Sequence, residues 1–368
     1  MGAYFVIAMS FVVLSALQTI YYGLPLIAPA LGLRAYVLYA PLAFILGGCL
    51  QEAHIRRFIV VSLYISIPIA LLVYVQFLSP PDAAINKGTS DEVEHVFVVV
   101  AGIVRPYGPF TFVQAQNTFA AMMVAVVIIA WDQRKRFSIS PMLLAPAGFA
   151  IMTMGALSGG RTFFGSAALV GCAYILAGLT SKRVRTGIVR LASVIALAAG
   201  FLLVFVIVFP DSFEAMSERQ ATAEAAEGST LGRALGAFAE GVETMASAPL
   251  FGYGIGAGNN GVLQFLGKSG FEFGETEGGH IINEMGPIFG ALTLLARVAM
   301  TAWIGWRCIL VNRLTGDGSA LIMFGFSGYL LAYAQITLQN QLLSFCWLGM
   351  GVTLALCRSA MRHKAGLR

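Results

Sequence analysis

Long apolar runs alternate with short polar segments along this chain, and most of the runs match the thickness of a bilayer. A membrane-spanning helix needs about 20 predominantly apolar residues. Runs of that kind lie near 3–20, 36–50, 58–77, 115–131, 141–157, 163–179, 190–209, 286–306, 318–336 and 342–357, which predicts about ten spans. The second run is short, and Arg34 just before it predicts a tilted or interfacial start. Ala3–Ile20 has no basic stretch ahead of it. It is therefore expected to be a retained first span and not a cleaved signal.

The polar segments set the organisation. An N-terminal transmembrane bundle is expected over 1–210, with an external loop over 79–112. A large external loop with short helices follows over 211–285, and C-terminal spans over 286–368. Phe213–Glu227 is rich in Ala and Glu and lacks Pro and Gly, so it reads as a helix. Ser229-Thr230 can cap a second helix reaching Ala246, which Pro249 ends. No internal repeat or low-complexity tract is seen.

Composition agrees with this pattern. The chain is 58% hydrophobic and 11% charged, with a mean hydropathy of +0.80. A soluble domain carries about 25% charged residues, so the length reads as an all-α integral membrane protein and not as soluble domains. Cys49, Cys172, Cys308, Cys346 and Cys357 fall in apolar runs or at their basic ends, with no CxxC pair. Neither a disulfide nor a structural zinc site is expected.

Charge placement sets the orientation. Arg56, Arg57, Arg134, Lys135, Arg136, Lys182, Arg183, Arg185, Arg190, Arg307, Arg313, Arg358, Arg362, Lys364 and Arg368 gather on one side. Arg34, Lys87, Arg105, Arg161, Arg219, Arg233 and Lys268 fall on the other. The richer side is expected to be cytoplasmic, with both termini there. The only carboxylates on that side are Glu52, Asp132 and Asp317.

Candidate chemistry therefore gathers on the opposite side. In Ser158-Gly-Gly-Arg161, the glycines allow a tight turn and the guanidinium fork suits phosphate oxygens. The alternative is an arginine snorkelling from a helix end. Arg105, in Arg105-Pro-Tyr-Gly-Pro-Phe, is a second such arginine, or a solvated loop residue. Pro249-Leu-Phe-Gly-Tyr-Gly-Ile-Gly-Ala-Gly contains Gly252, Gly254 and Gly256. Without a strand before it and a crossover helix after it, this is no dinucleotide fingerprint. Its glycines permit close approach to a ligand or another helix, or make a flexible turn.

Glu275, Glu277, His280 and Glu284 cluster just beyond. If the segment is helical, Glu277, His280 and Glu284 share one face, and a carboxylate or imidazole there can act as general base toward a sugar hydroxyl. The alternative is a solvated acidic collar. With one histidine the cluster alone offers no two-histidine metal site, although His95 could in principle join it; no metal and no cofactor are expected. Arg297 is predicted within a span, where it pairs with a carboxylate or phosphate, or lies near the cytoplasmic end. Walker A, G-x-S-x-G and D-x-D sequences are absent, which speaks against an ATPase, a serine hydrolase and a nucleotide-sugar transferase.

With these residues in view, the chain resembles the O-antigen ligase/polymerase family of bacterial inner-membrane proteins. The matching marks are Ser158-Gly-Gly-Arg161, Arg233 ahead of Pro249-Leu-Phe-Gly-Tyr-Gly-Ile-Gly, Asn283-Glu-Met-Gly286-Pro-Ile-Phe-Gly290 at the opening of a span, and Arg105-Pro-Tyr-Gly-Pro-Phe. They run through most of the chain from Arg56 onward. The resemblance implies a GT-C-like, metal-independent glycosyltransferase that takes glycan from a polyprenyl-diphosphate-linked oligosaccharide at the periplasmic face.

The resemblance also implies that Arg161, Arg233 and Arg105 hold the diphosphate. The catalytic candidates are Glu277, His280 and Glu275, and Gly252, Gly254, Gly256, Glu284 and Gly286 form the structural loop. Ligases of the family place a histidine further upstream of the Glu-x-Gly than His280 stands, which favours a repeat-unit polymerase over a ligase. Membrane lipid and polysaccharide export or assembly proteins are the other expected partners, and nucleic acid is not. The competing classes are a transporter or lipid flippase, which predicts an internal repeat and a midplane polar site, and a non-catalytic assembly component.

Overall fold

The computed structural model describes residues 2–87, 99–100, 103–181, 184–208, 210, 240–259, 261–262, 274 and 276–366. The expectations placed on 211–239, Arg233 among them, and on Glu275 and His95 lie outside the described residues.

The architecture is all-α. Among the described residues, nine helices are long and apolar enough to cross a membrane, as in a multi-pass membrane protein. They are α1 (Gly2–Tyr22), α2 (Ile27–Cys49), α3 (Glu52–Leu78), α4 (Val113–Asp132), α5 (Pro141–Ser158), α6 (Arg161–Leu179), α7 (Val184–Val208), α8 (Glu277–Thr315) and α10 (Asn340–Lys364). A shorter apolar helix, α9 (Ser319–Ala332), lies between the last two. Two-residue strands, Val99–Val100 and Ile103–Val104, pair antiparallel in the 79–112 loop.

Two differences from the expected spans have physical causes. The second span starts earlier, at Ile27, so Arg34 lies inside α2, at the head of a π-helical turn, Arg34–Leu38. Pro29 is tolerated because it falls in the first turn. The ninth expected span is cut short at Ala332 because the chain leaves the helix there. The freed backbone is used by a buried arginine, described below.

The chain divides into two compact units. One comprises Met1–Ile45, Ala226–Ile304 and Leu330–Leu348. The other comprises Leu46–Ala225, Gly305–Tyr329 and Gly349–Arg368.

In the second unit, α4 is the most enclosed helix. Ala115, Ala120, Ala121, Ala125 and Ala130 are all buried, and small side chains let neighbouring helices approach closely. In contrast, α7 exposes Ile188, Val189, Ile195, Leu203 and Ile207, an apolar surface suited to lipid. Arg136, in the turn after α4, pairs with Glu52 at 3.0 Å and with Asp317 at 2.5 Å. Burial opposes its charge, but those two carboxylates outweigh burial and raise its pKa. Arg190 pairs with Asp132 at 2.8 Å and lies over the Tyr174 ring. Glu52, Asp132 and Asp317, the three carboxylates of the basic side, are thus each held by an arginine.

Amides hold the opposite end of this unit. Gln76 exchanges two hydrogen bonds with the Gly108 backbone, donating to its carbonyl and accepting from its N–H. Asn86 donates to the carbonyls of Gln76, Ser79 and Pro80 around the end of α3. These bonds fix both ends of the 79–112 loop.

Candidate functional site

The first unit is built around a reversal in α8. Glu277 and Arg297 are 20 residues apart, which in a straight helix would separate them by about 30 Å. Instead Arg297 Nη1 donates to Glu277 Oε1 at 2.5 Å. The chain folds back at Gly286, where φ is 80° and ψ 166°, so α8 is a helical hairpin with limbs before and after that residue. Only glycine adopts this backbone without strain, and a Cβ there would overlap the Leu250 carbonyl. Pro287 then opens the second limb, at a position where its missing N–H is harmless. Gly290 completes the fold-back: a Cβ on it would press on Ile282 of the first limb.

Arg297 is buried within this hairpin, 8% exposed. Its Nε donates to the Leu331 carbonyl at 2.8 Å and its Nη2 to the Ala334 carbonyl at 3.1 Å. Those acceptors are available because the chain leaves the helix after Ala332. Irregular backbone at membrane depth is tolerated where it is buried in protein and bonded. Glu277 is engaged at both oxygens. Oε1 also accepts from the Thr337 N–H at 3.2 Å, and Oε2 from the Thr337 hydroxyl at 2.9 Å. Of the pairings expected for Arg297, the structure shows the carboxylate.

Glu277, His280 and Glu284 lie on one helical limb with the expected spacing. His280 Nε2 is 3.2 Å from Glu284 Oε1, and both side chains are 1% exposed. Glu284 gathers the surrounding segments. Its Oε2 accepts from the Tyr36 hydroxyl at 2.8 Å, and its Oε1 from the Gly258 N–H at 3.0 Å. Tyr36 reaches it from the π-helical turn of α2.

The glycine-rich stretch is a strap laid across the end of this limb. A helix leaves its last carbonyls without partners, and here the strap supplies them. Tyr253 N–H donates to the Asn283 carbonyl at 2.7 Å and Gly254 N–H to the Glu284 carbonyl at 3.1 Å. Gln18 of α1 clamps the arrangement. It donates to the carbonyls of Glu284 and Phe251 and accepts from the Ile255 N–H. Gly252, Gly254 and Gly256 all have positive φ. At Gly256 a Cβ would overlap the Ala28 carbonyl and the Gly32 backbone of α2. Of the alternatives for these glycines, close approach to another helix is the one seen. Leu14, Ile255, Ile281 and Met285 seal the strap from below.

The second unit brings Arg105 and the Ser158-Gly-Gly-Arg161 turn together. Arg105 Nε donates to the Ser158 carbonyl at 3.3 Å. Gly159 has φ 55° and ends α5, and Arg161 opens α6. Arg105 and Arg161 are both half-buried. Beneath the turn lie Gln116 and Asn117 of α4, buried at 0% and 2% exposure. Sequence reasoning passed over Gln18, Tyr36, Gln116, Asn117 and Thr337. Polar residues inside or beside apolar runs were their one available signal.

No protein-family model matches this chain, and no curated protein matches it significantly.

Proposed function

We propose that this chain is a membrane glycosyltransferase that takes glycan from a polyprenyl-diphosphate carrier and extends a surface polysaccharide. The observation that carries the reading is the second unit's turn. Arg105 and Arg161, far apart in sequence, are placed at one glycine turn in an otherwise apolar all-helical chain. A diphosphate leaving group develops charge as the glycosidic bond breaks, and preorganised guanidinium groups stabilise that charge. The likeness to the O-antigen ligase/polymerase family, with its GT-C-like fold and periplasmic site, supports the same reading, and Arg233 joins the clamp by that likeness.

The acceptor hydroxyl must lose a proton. Glu277 is a weaker candidate than its position in sequence implies, because Arg297 and Thr337 occupy both its oxygens. The reading gives the proton to His280, with Glu284 as its ion-pair partner and Glu277 as the counter-ion that holds the hairpin.

The test is the surface glycan of a deletion strain complemented with variants. Wild type restores long polymer, whereas Arg161→Ala, expressed at normal level, leaves single repeat units. Arg161→Lys does the same, because a point ammonium does not reproduce a bidentate fork. Normal polymer with Arg161→Ala overturns the reading. Full-length lipid-linked polymer accumulating in the deletion strain selects a ligase in place of a polymerase.

A further inference from the structure

Two buried amides under the Ser158-Gly-Gly-Arg161 turn are only partly used by the protein. Gln116 Nε2 donates to the Met154 carbonyl at 3.3 Å, but Gln116 Oε1 accepts nothing. Asn117 Oδ1 accepts nothing either. A buried amide oxygen without a donor is unfavourable, and most buried polar groups are paired. Elsewhere in this unit Gln76 is satisfied at both ends of its amide, whereas Asn86 and Asn312 donate to backbone and leave the amide oxygen open. Gln116 and Asn117 differ from those in place: they sit at adjacent positions of α4, with Asn117 against the turn that carries Arg161.

Their surroundings say what would fill them. Asn117 packs directly under Gly160, where a Cβ would overlap its amide group. Glycine at 160 thus lets the turn pack directly against the amide. Ser158, two residues before Gly160, holds Arg105, and Arg161 follows immediately. Open amide acceptors beside two arginines suit a ligand with hydroxyl groups next to a phosphate. An amide both donates and accepts, as does a sugar hydroxyl.

We infer that Asn117, with Gln116, binds a hydroxyl of the sugar attached to the diphosphate, and so selects the glycan-bearing lipid over the bare carrier. This rests on the proposed donor site, and deepens it by assigning a sugar-recognition subsite. Such a site separates substrate from product, because the diphosphate lipid that remains after transfer has lost the sugar.

The experiment uses the full chain in lipid nanodiscs with two probes. One is the lipid-linked oligosaccharide isolated from cells lacking this chain, and the other is bare polyprenyl diphosphate. Asn117→Leu is expected to weaken the oligosaccharide-bearing probe about tenfold, the worth of one or two hydrogen bonds, and to leave the bare probe within about twofold. Gly160→Ala, which pushes a methyl group onto the same amide, should show the same selective loss. Asn117→Leu should also leave the melting temperature unchanged or raised, since it removes a buried acceptor with no protein donor. A lowered melting temperature, or equal loss on both probes, assigns Asn117 to the scaffold and overturns the inference. If the wild type binds neither probe, or Arg161→Ala binds both normally, the donor-site reading itself fails and the subsite with it.

Discussion

The carboxylate oxygens of the first unit's hairpin and the amide oxygens at the second unit's glycine turn are met in opposite ways. In the hairpin, each acid of the ion pairs is engaged. Arg297 has Glu277 and two carbonyls, Glu277 has Thr337 as well, and Glu284 has His280, Tyr36 and Gly258. At the turn, the amide oxygens of Gln116 and Asn117 have no donor. A satisfied network in a low-dielectric interior gives a fixed geometry. An unsatisfied one costs stability and is retained where something else completes it. On the proposed reading, the first region holds His280 in a fixed place and the second contacts the donor.

The prediction with the largest effect tests whether the hairpin is only a scaffold. His280→Ala is expected to cut turnover by about two to four orders of magnitude, the range of a general base, with donor binding retained. Glu277→Gln keeps the Thr337 contacts and is expected to be milder. Activity in the histidine variant, with loss in Glu277→Gln, would return the base to Glu277 and break the contrast drawn above. Activity in both would make the whole limb structural.

The next effect concerns stability alone. Arg297→Ala leaves Glu277 charged and buried, and is expected to destabilise by about 3–5 kcal/mol. The paired replacement of Arg297 by Met and Glu277 by Gln should recover most of that loss, because no uncompensated charge remains. Thermal melts in detergent check both. A single variant as stable as wild type would show that the pair contributes nothing and that the hairpin is held by packing.

The smallest effect sharpens the role of the strap. Gly256→Ala meets both a positive φ and the α2 backbone, and is expected to destabilise by about 1–3 kcal/mol. Gly165→Ala, in α6 with open space around it, should gain up to about 1 kcal/mol from helix propensity. If both changes have the same sign, the strap is not packed as described.

Much of the fold is legible from hydropathy, because a bilayer demands apolar runs of set length and little else imitates them. The limb spacing of Glu277, His280 and Glu284 is legible for a similar reason: helical periodicity is local. The end of α9 is not, since Tyr333 to Gln339 leaves the helix to serve Arg297, a residue that hydropathy places in another span. The roles of Glu277 and of the glycines are equally hidden. Glu277 reads as a surface base until the reversal at Gly286 brings Arg297 back to it. Gly256 reads as a flexible turn until α2 is found against it.

By itself the sequence determined the spans, the basic side with Glu52, Asp132 and Asp317, and the places where glycine and arginine gather. These follow from composition within a single segment and from the energetics of transfer into lipid. Tertiary structure alone decided which arginine meets which carboxylate, that Gln18 and the strap supply partners for the end of a helical limb, and that Asn117 packs under Gly160. Hydrogen bonds and ion pairs are short-ranged and join residues far apart in the chain. Their partners are set by how helices are brought together, which no single segment encodes.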